Sequence, residues 1–180
     1  NAKEDAVSGS SVRLTWDKIS GAGGYIVEQY TNGKWTRVTK ITDPATLKYS
    51  IKGLKSGTTY QFRVCAYKIL GDNVYYGSYS DTVKTTTNPA KVVASVDAVS
   101  SSSVRLMWDK ISGAGGYIIE QYKNGEWVRV ARIGDADTLK YSIKGLSSAT
   151  SYKFRVCSFK ILDGKAYYCS YSTTVTAKTK

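Results

Sequence analysis

The chain has 180 residues, with 26 Lys+Arg against 14 Asp+Glu and no histidine. Without histidine it lacks the commonest general base, the usual partner of a Ser or Cys nucleophile, and the nitrogen ligand of most zinc, copper and haem sites. At 42% hydrophobic and 22% charged it is an ordinary globular composition, and no apolar run approaches the roughly 18 residues of a membrane span.

Self-similarity organises the chain. Ser11-Val12-Arg13-Leu14 and the run Trp16 to Tyr25 recur at Ser103-Val104-Arg105-Leu106 and Trp108 to Tyr117, and the offset of 92 holds without a gap to the end. A period near 90 residues exceeds that of solenoid repeats and suits one small domain. Two copies are therefore expected, residues 1–88 and 89–180, joined at Thr87-Asn88-Pro89-Ala90-Lys91, where proline stops a strand. Fifteen Tyr, four Trp and many Thr, Ser and Val favour strand.

In chain order, Val12-Arg13-Leu14-Thr15-Trp16 alternates with period two and predicts a strand with Val, Leu and Trp on its core face. Gly21-Ala22-Gly23-Gly24 then runs straight into Tyr25-Ile26-Val27. A phosphate cradle needs its glycines to open a helix, so this stretch reads as a tight inter-strand loop. Asn32-Gly33 and Asn124-Gly125 are two-residue hairpin turns, since a type I′ turn needs positive φ at both central positions. That turn puts Tyr30 opposite Trp35, Glu28 opposite Arg37 and Ile26 opposite Thr39 on the outward face, with Val27 opposite Val38 inward. Copy two repeats the outward set as Tyr122 with Trp127, Glu120 with Arg129 and Ile118 with Ala131. Tyr60-Gln61-Phe62-Arg63-Val64-Cys65-Ala66 is a further alternating strand. It should add Arg63, Cys65 and Tyr67 to the outward face, and Arg155, Cys157 and Phe159 in copy two.

Ser-Val-Arg-Leu-x-Trp-Asp, the Gly-Tyr-x-(Val/Ile) entry, Leu54-Lys55-Ser56-Gly57-Thr58-Thr59-Tyr60 before Phe62-Arg63-Val64-Cys65-Ala66-Tyr67, and Tyr79-Ser80 before a Thr-rich strand together resemble the fibronectin type III module. The Ala-Gly-Gly-Tyr entry resembles the variety found in secreted, multi-domain surface proteins and polysaccharide-degrading enzymes of Gram-positive bacteria. The resemblance covers essentially the whole chain, twice. It implies an all-β fold of two tandem seven-stranded antiparallel β-sandwiches, immunoglobulin-like, with Trp16 and Trp108 in the cores. It also implies corner tyrosines at Tyr60 and Tyr152, whose hydroxyls bond nearby backbone. Copy two departs from the motif at Ala149, where copy one has Gly57.

The outward aromatic faces have two readings. Tyr30, Trp35, Arg37, Arg63 and Tyr67, with Tyr122, Trp127, Arg129, Arg155 and Phe159, could stack a sugar ring or anchor a protein partner, because aromatics and Arg dominate contact hot spots. Alternatively, the cross-strand pairs simply stabilise their own hairpins by about 0.2–1 kcal/mol each.

Three cysteines, Cys65, Cys157 and Cys169, form an odd set, and copy two adds Cys169 where copy one has Gly77. With Asp163-Gly164 as the turn, Ser158 opposes Cys169, so a Cys157–Cys169 disulfide needs a bulge or slip to bring the Cβ atoms within about 4.5 Å. Free half-buried thiols are the alternative. Asp17, Asp109, Asp43, Asp135 and Asp137 read as turn formers; no catalytic pair, metal site or cofactor is expected. There is no Arg-Gly-Asp tripeptide and no Asn-x-Ser/Thr sequon. Basic residues outnumber acidic by 12 to 7 in residues 1–90 and by 14 to 7 in 91–180 without forming a cluster, which argues against nucleic-acid recognition. With no leader or anchor segment in view, the sequence reads as a mature product or a piece of a longer modular array. The expected role is a non-catalytic extracellular spacer in a bacterial secreted or surface protein, or else an adhesin contacting a host protein or glycan.

Overall fold

The computed structural model describes residues 1–180 and divides into two compact units, Asn1–Thr87 and Asn88–Lys180. Both are all-β sandwiches. In the first, β1 (Ala2–Val7), β2 (Ser11–Trp16) and β5 (Lys48–Lys52) form a three-stranded sheet in the order β1-β2-β5. The facing sheet has the order β4-β3-β6-β7, from β3 (Gly24–Thr31), β4 (Lys34–Ile41), β6 (Thr59–Leu70) and β7 (Asn73–Tyr79), while β8 (Val83–Thr86) also pairs with β6. The second unit repeats this with β9 (Ala94–Val99), β10 (Ser103–Trp108), β11 (Gly116–Lys123), β12 (Glu126–Ile133), β13 (Lys140–Lys144), β14 (Ser151–Leu162), β15 (Lys165–Tyr168) and β16 (Val175–Lys178).

The seventh strand of each sandwich is thus split in two. The break has a local cause: Ser80 N–H donates to Val64 O at 2.8 Å, and the Ser80 hydroxyl accepts the Val64 N–H at 3.1 Å. A side chain stands in for a ladder partner and the strand interrupts there. Ser172 does the same with Val156, at 2.8 and 3.0 Å.

Alternation places the core. Val12, Leu14, Trp16, Tyr25, Val27, Ile51, Phe62 and Val64 are buried between the sheets, matched by Val104, Leu106, Trp108, Tyr117, Ile119, Ile143, Phe154 and Val156. The corner tyrosines close as the resemblance implies, with Tyr60 Oη accepting Lys55 N–H and Tyr152 Oη accepting Ser147 N–H, each at 2.8 Å. Ala149 keeps the left-handed backbone of Gly57, φ 52° against 58°, so the turn survives its substitution. The glycine-rich loop feeds β3 directly. A Cβ on Gly24 would run into the Ile41 carbonyl and the Tyr67 ring, which is why glycine stands there.

One register expectation is corrected. From Thr31–Lys34 to Glu28–Arg37 the β3–β4 pairing follows the turn, but a bulge then leaves Val38 unpaired, and Val27 meets Thr39 while Ile26 meets Lys40. Val130 is the bulged residue in copy two, where Ile118 meets Arg132 rather than Ala131. The extra residue lets Val38 and Val130 still pack against the core while the strand bends around it.

Candidate functional site

The outward face of each larger sheet carries a ladder of rings and one guanidinium. In the first unit Tyr30 and Trp35 meet edge to face with centroids 5.3 Å apart. Arg63 lies between Trp35 and Tyr79, its guanidinium carbon 4.3 Å from the first ring centroid and 3.6 Å from the second. Glu28 Oε2 accepts from Arg63 Nε at 2.9 Å and from Nη2 at 2.7 Å. The second unit repeats every part. Tyr122 and Trp127 are 5.3 Å apart, and Arg155 lies 4.3 Å from Trp127 and 3.9 Å from Tyr171. Arg155 pairs with Glu120 at 2.6 Å, and Tyr171 Oη donates to Glu120 Oε1 at 2.6 Å.

The ion pair is therefore not the expected one. Arg37 and Arg129 face Glu28 and Glu120 in register but are exposed, and the carboxylates are taken by Arg63 and Arg155 from the neighbouring strand. A planar guanidinium held by a carboxylate and flanked by two rings gains both charge pairing and cation–π contact, and the half-buried setting strengthens each.

Tyr67 and Phe159 also depart from expectation. Each is only 3% exposed and so is no part of an accessible face. The bulge supplies the reason, because it sets Lys40 and Arg132 where their charged ends cover these rings, at 4.6 and 4.4 Å from the centroids. The rings also fill the space that Gly24 and Gly116 leave open. Ile26, Cys65 and Tyr67 form a small buried cluster of their own on this side of the sheet.

Tyr79 and Tyr171 were not expected in the ladder. Their repeat-equivalence was a visible signal, but a second bulge, between Cys65 and Tyr67, is what brings Tyr79 opposite Cys65 and beside Arg63. Burial first, and then the hydrogen bond to Glu28 or Glu120, raises both phenols well above the ordinary tyrosine range, so they act as neutral donors. Burial likewise raises the Cys65 thiol. What remains accessible is chiefly Tyr30 and Tyr122, each 42% exposed, with the half-buried edges of Trp35 and Trp127. In the second unit a groove of about 580 Å³ runs beside the ladder, lined by Ile118, Glu120, Trp127, Arg129, Cys157 and Tyr171 among others. Nowhere do three or more Cys, Asp or Glu side chains gather as metal ligands would.

Residues 2–83 match the family described as "Fibronectin type III domain". The first unit thus matches the fibronectin type III domain over residues 2–83, and the second unit repeats its sequence at an offset of 92 and its strand order. Fibronectin type III domains are in general non-catalytic modules, and the chain is read as one. It is 28% identical over 160 residues to exoglucanase B of Cellulomonas fimi, covering 82% of this chain and 14% of that protein. It is 29% identical over 174 residues to neogenin of Rattus norvegicus, covering 89% of this chain and 12% of that one. The chain thus spans a small fraction of the length of these relatives. A two-domain fibronectin type III segment of chicken tenascin superposes with a TM-score of 0.60 at 15% identity, covering 99% of this chain and 98% of that one, a likeness of fold.

Proposed function

We propose that this pair of fibronectin type III domains is a non-catalytic extracellular spacer within a secreted or surface protein of a Gram-positive bacterium. One observation carries the reading: the ladder is satisfied from within. Arg63 and Arg155 are neutralised by Glu28 and Glu120 and enclosed by rings, and Tyr67 and Phe159 are buried. The parts of a binding hot spot are present but already spent on one another. A contact surface needs aromatic and Arg groups left free to be desolvated by a partner. Likeness to a bacterial exoglucanase supports the setting. The basic excess, spread over both copies, adds weak and salt-dependent attraction to polyanions.

The test is titration of the chain against a broad panel of glycans and host proteins at high and low salt, beside a Trp35→Ala, Trp127→Ala double variant shown to be folded. The spacer reading expects no saturable binding at high salt. Salt-insensitive binding lost in the double variant would overturn it in favour of an adhesin using Tyr30, Trp35, Tyr122 and Trp127.

A further inference from the structure

Copy two holds a pair of thiols that copy one lacks. Cys169 begins the non-strand stretch after β15, and its N–H donates to Ser158 O at 3.0 Å, so the off-by-one register to Cys157 is the expected one. The side chains nevertheless lean together, and the two sulfurs are 3.3 Å apart. The pair is built into its surroundings. Cys157 Sγ lies 3.0 Å from Cys169 O, and Ser158 N–H donates to Cys169 Sγ at 3.0 Å. Both residues are buried, Cys157 to 1% and Cys169 to 7% exposure, and the groove beside the Trp127–Arg155–Tyr171 ladder reaches Cys157. The position equivalent to Cys169 in copy one is Gly77, which leaves Cys65 without a second thiol.

We infer that Cys157 and Cys169 form an intradomain disulfide by exchange with a small-molecule disulfide. The bond length is about 2.05 Å, so the sulfurs close by a little over 1 Å through side-chain rotation, without a strand slip. The Ser158 N–H and the adjacent Cys157 thiol stabilise a Cys169 thiolate and lower its pKa, while Cys157 is raised by the same contact and by burial. Cys169, the more exposed thiol, attacks one sulfur of the small disulfide. The sulfur–sulfur bond breaks, one small thiolate leaves, and a mixed disulfide stands on Cys169. Cys157 then gives up its proton to a departing thiolate, attacks Cys169 Sγ and expels the second small thiol. Two protein thiols are oxidised by two electrons, one small disulfide is reduced to two thiols, and the two protons end on those thiols. The product staples β14 to the chain just beyond β15, its neighbour in the same sheet. The extracellular setting proposed above would keep such a bond oxidised, but the exchange itself does not depend on that reading.

The full chain, reduced and freed of reductant, is incubated with oxidised glutathione, alkylated under denaturing conditions and mapped by mass spectrometry. Of three cysteines one alkylated residue is expected, Cys65, with the peptides carrying Cys157 and Cys169 joined and the mass lower by two hydrogens. Cys169→Gly, which restores the residue found in copy one, is expected to keep both remaining thiols. Three alkylated cysteines in the parent, a glutathione adduct persisting on Cys169, or a bridge involving Cys65 would each overturn the inference.

Discussion

The two units differ most over one cleft. In the second, Val92, just ahead of β9, is 1% exposed and part of the core cluster, and Ser158 Oγ donates to Ala90 O at 3.0 Å. In the first, Trp16, Tyr25, Val64, Ala66, Gly77 and Tyr79 help line a cavity of about 390 Å³. The equivalent side chains differ: where the second unit has Ser158 and Cys169, the first has Ala66 and Gly77. One backbone frame thus carries different side chains at equivalent positions.

Substitutions can separate the shared frame from the local difference. The largest effect belongs to the frame: Gly24→Ala and Gly116→Ala each force a methyl into a backbone carbonyl and an aromatic ring, and should cost about 3 kcal/mol in their own unit. Denaturant titration of the full chain, with hydrogen exchange resolving each unit, should give equal losses; unequal ones would break the equivalence. Val92→Ala should weaken only the second unit, by about 2 kcal/mol from lost burial and the cavity left behind. A change spread over both units would contradict its assignment to that core. Ala149→Gly should stabilise the second unit by about 0.5–1 kcal/mol by relieving a left-handed residue, and Gly57→Ala should weaken the first by a like amount, both read as shifts in unfolding midpoint.

The smallest expected effect is in acid. In the first unit the Ala45 N–H and the Thr46 hydroxyl hold the Asp43 carboxyl below its usual range. In the second, Asp135 is lowered likewise by Asp137 N–H and Thr138, and Asp97 is lowered by Arg105 and then Lys140. A carboxylate depressed in the folded state adds stability that is complete above its unfolded pKa of about 3.9 and is lost as pH falls through the folded value. The second unit, with two such groups, should therefore lose more stability below about pH 4 than the first. Asp97→Asn should narrow the gap in unit-resolved exchange, although solvent screening keeps every term small.

The ladder shows how far residue patterns reach. Tyr30 facing Trp35 is readable because the Asn32-Gly33 turn is four residues across and leaves no room for slippage. Beyond Glu28 the register depends on where an extra residue is absorbed, and nothing in Arg37-Val38-Thr39 marks Val38 as the bulge. The consequences downstream were hidden with it: Lys40 over Tyr67 and Arg132 over Phe159. Tyr79 stayed out of view for the same reason, on the far side of a second bulge.

Local chemistry and repetition alone determined that this chain is two copies of an all-β sandwich, with inward Val, Leu, Trp and Phe and hairpins at Asn-Gly, while the corner tyrosines came with the resemblance to the fibronectin type III module. Those features depend on alternation and on turn residues whose backbone preferences act within a few positions. Tertiary structure decided the rest: the two bulges, the enclosure of Arg63 and Arg155, the burial of Tyr67 and Phe159, and the approach of Cys157 to Cys169. Each depends on how the strands pack around one core, and packing selects among registers that the sequence pattern leaves equally allowed.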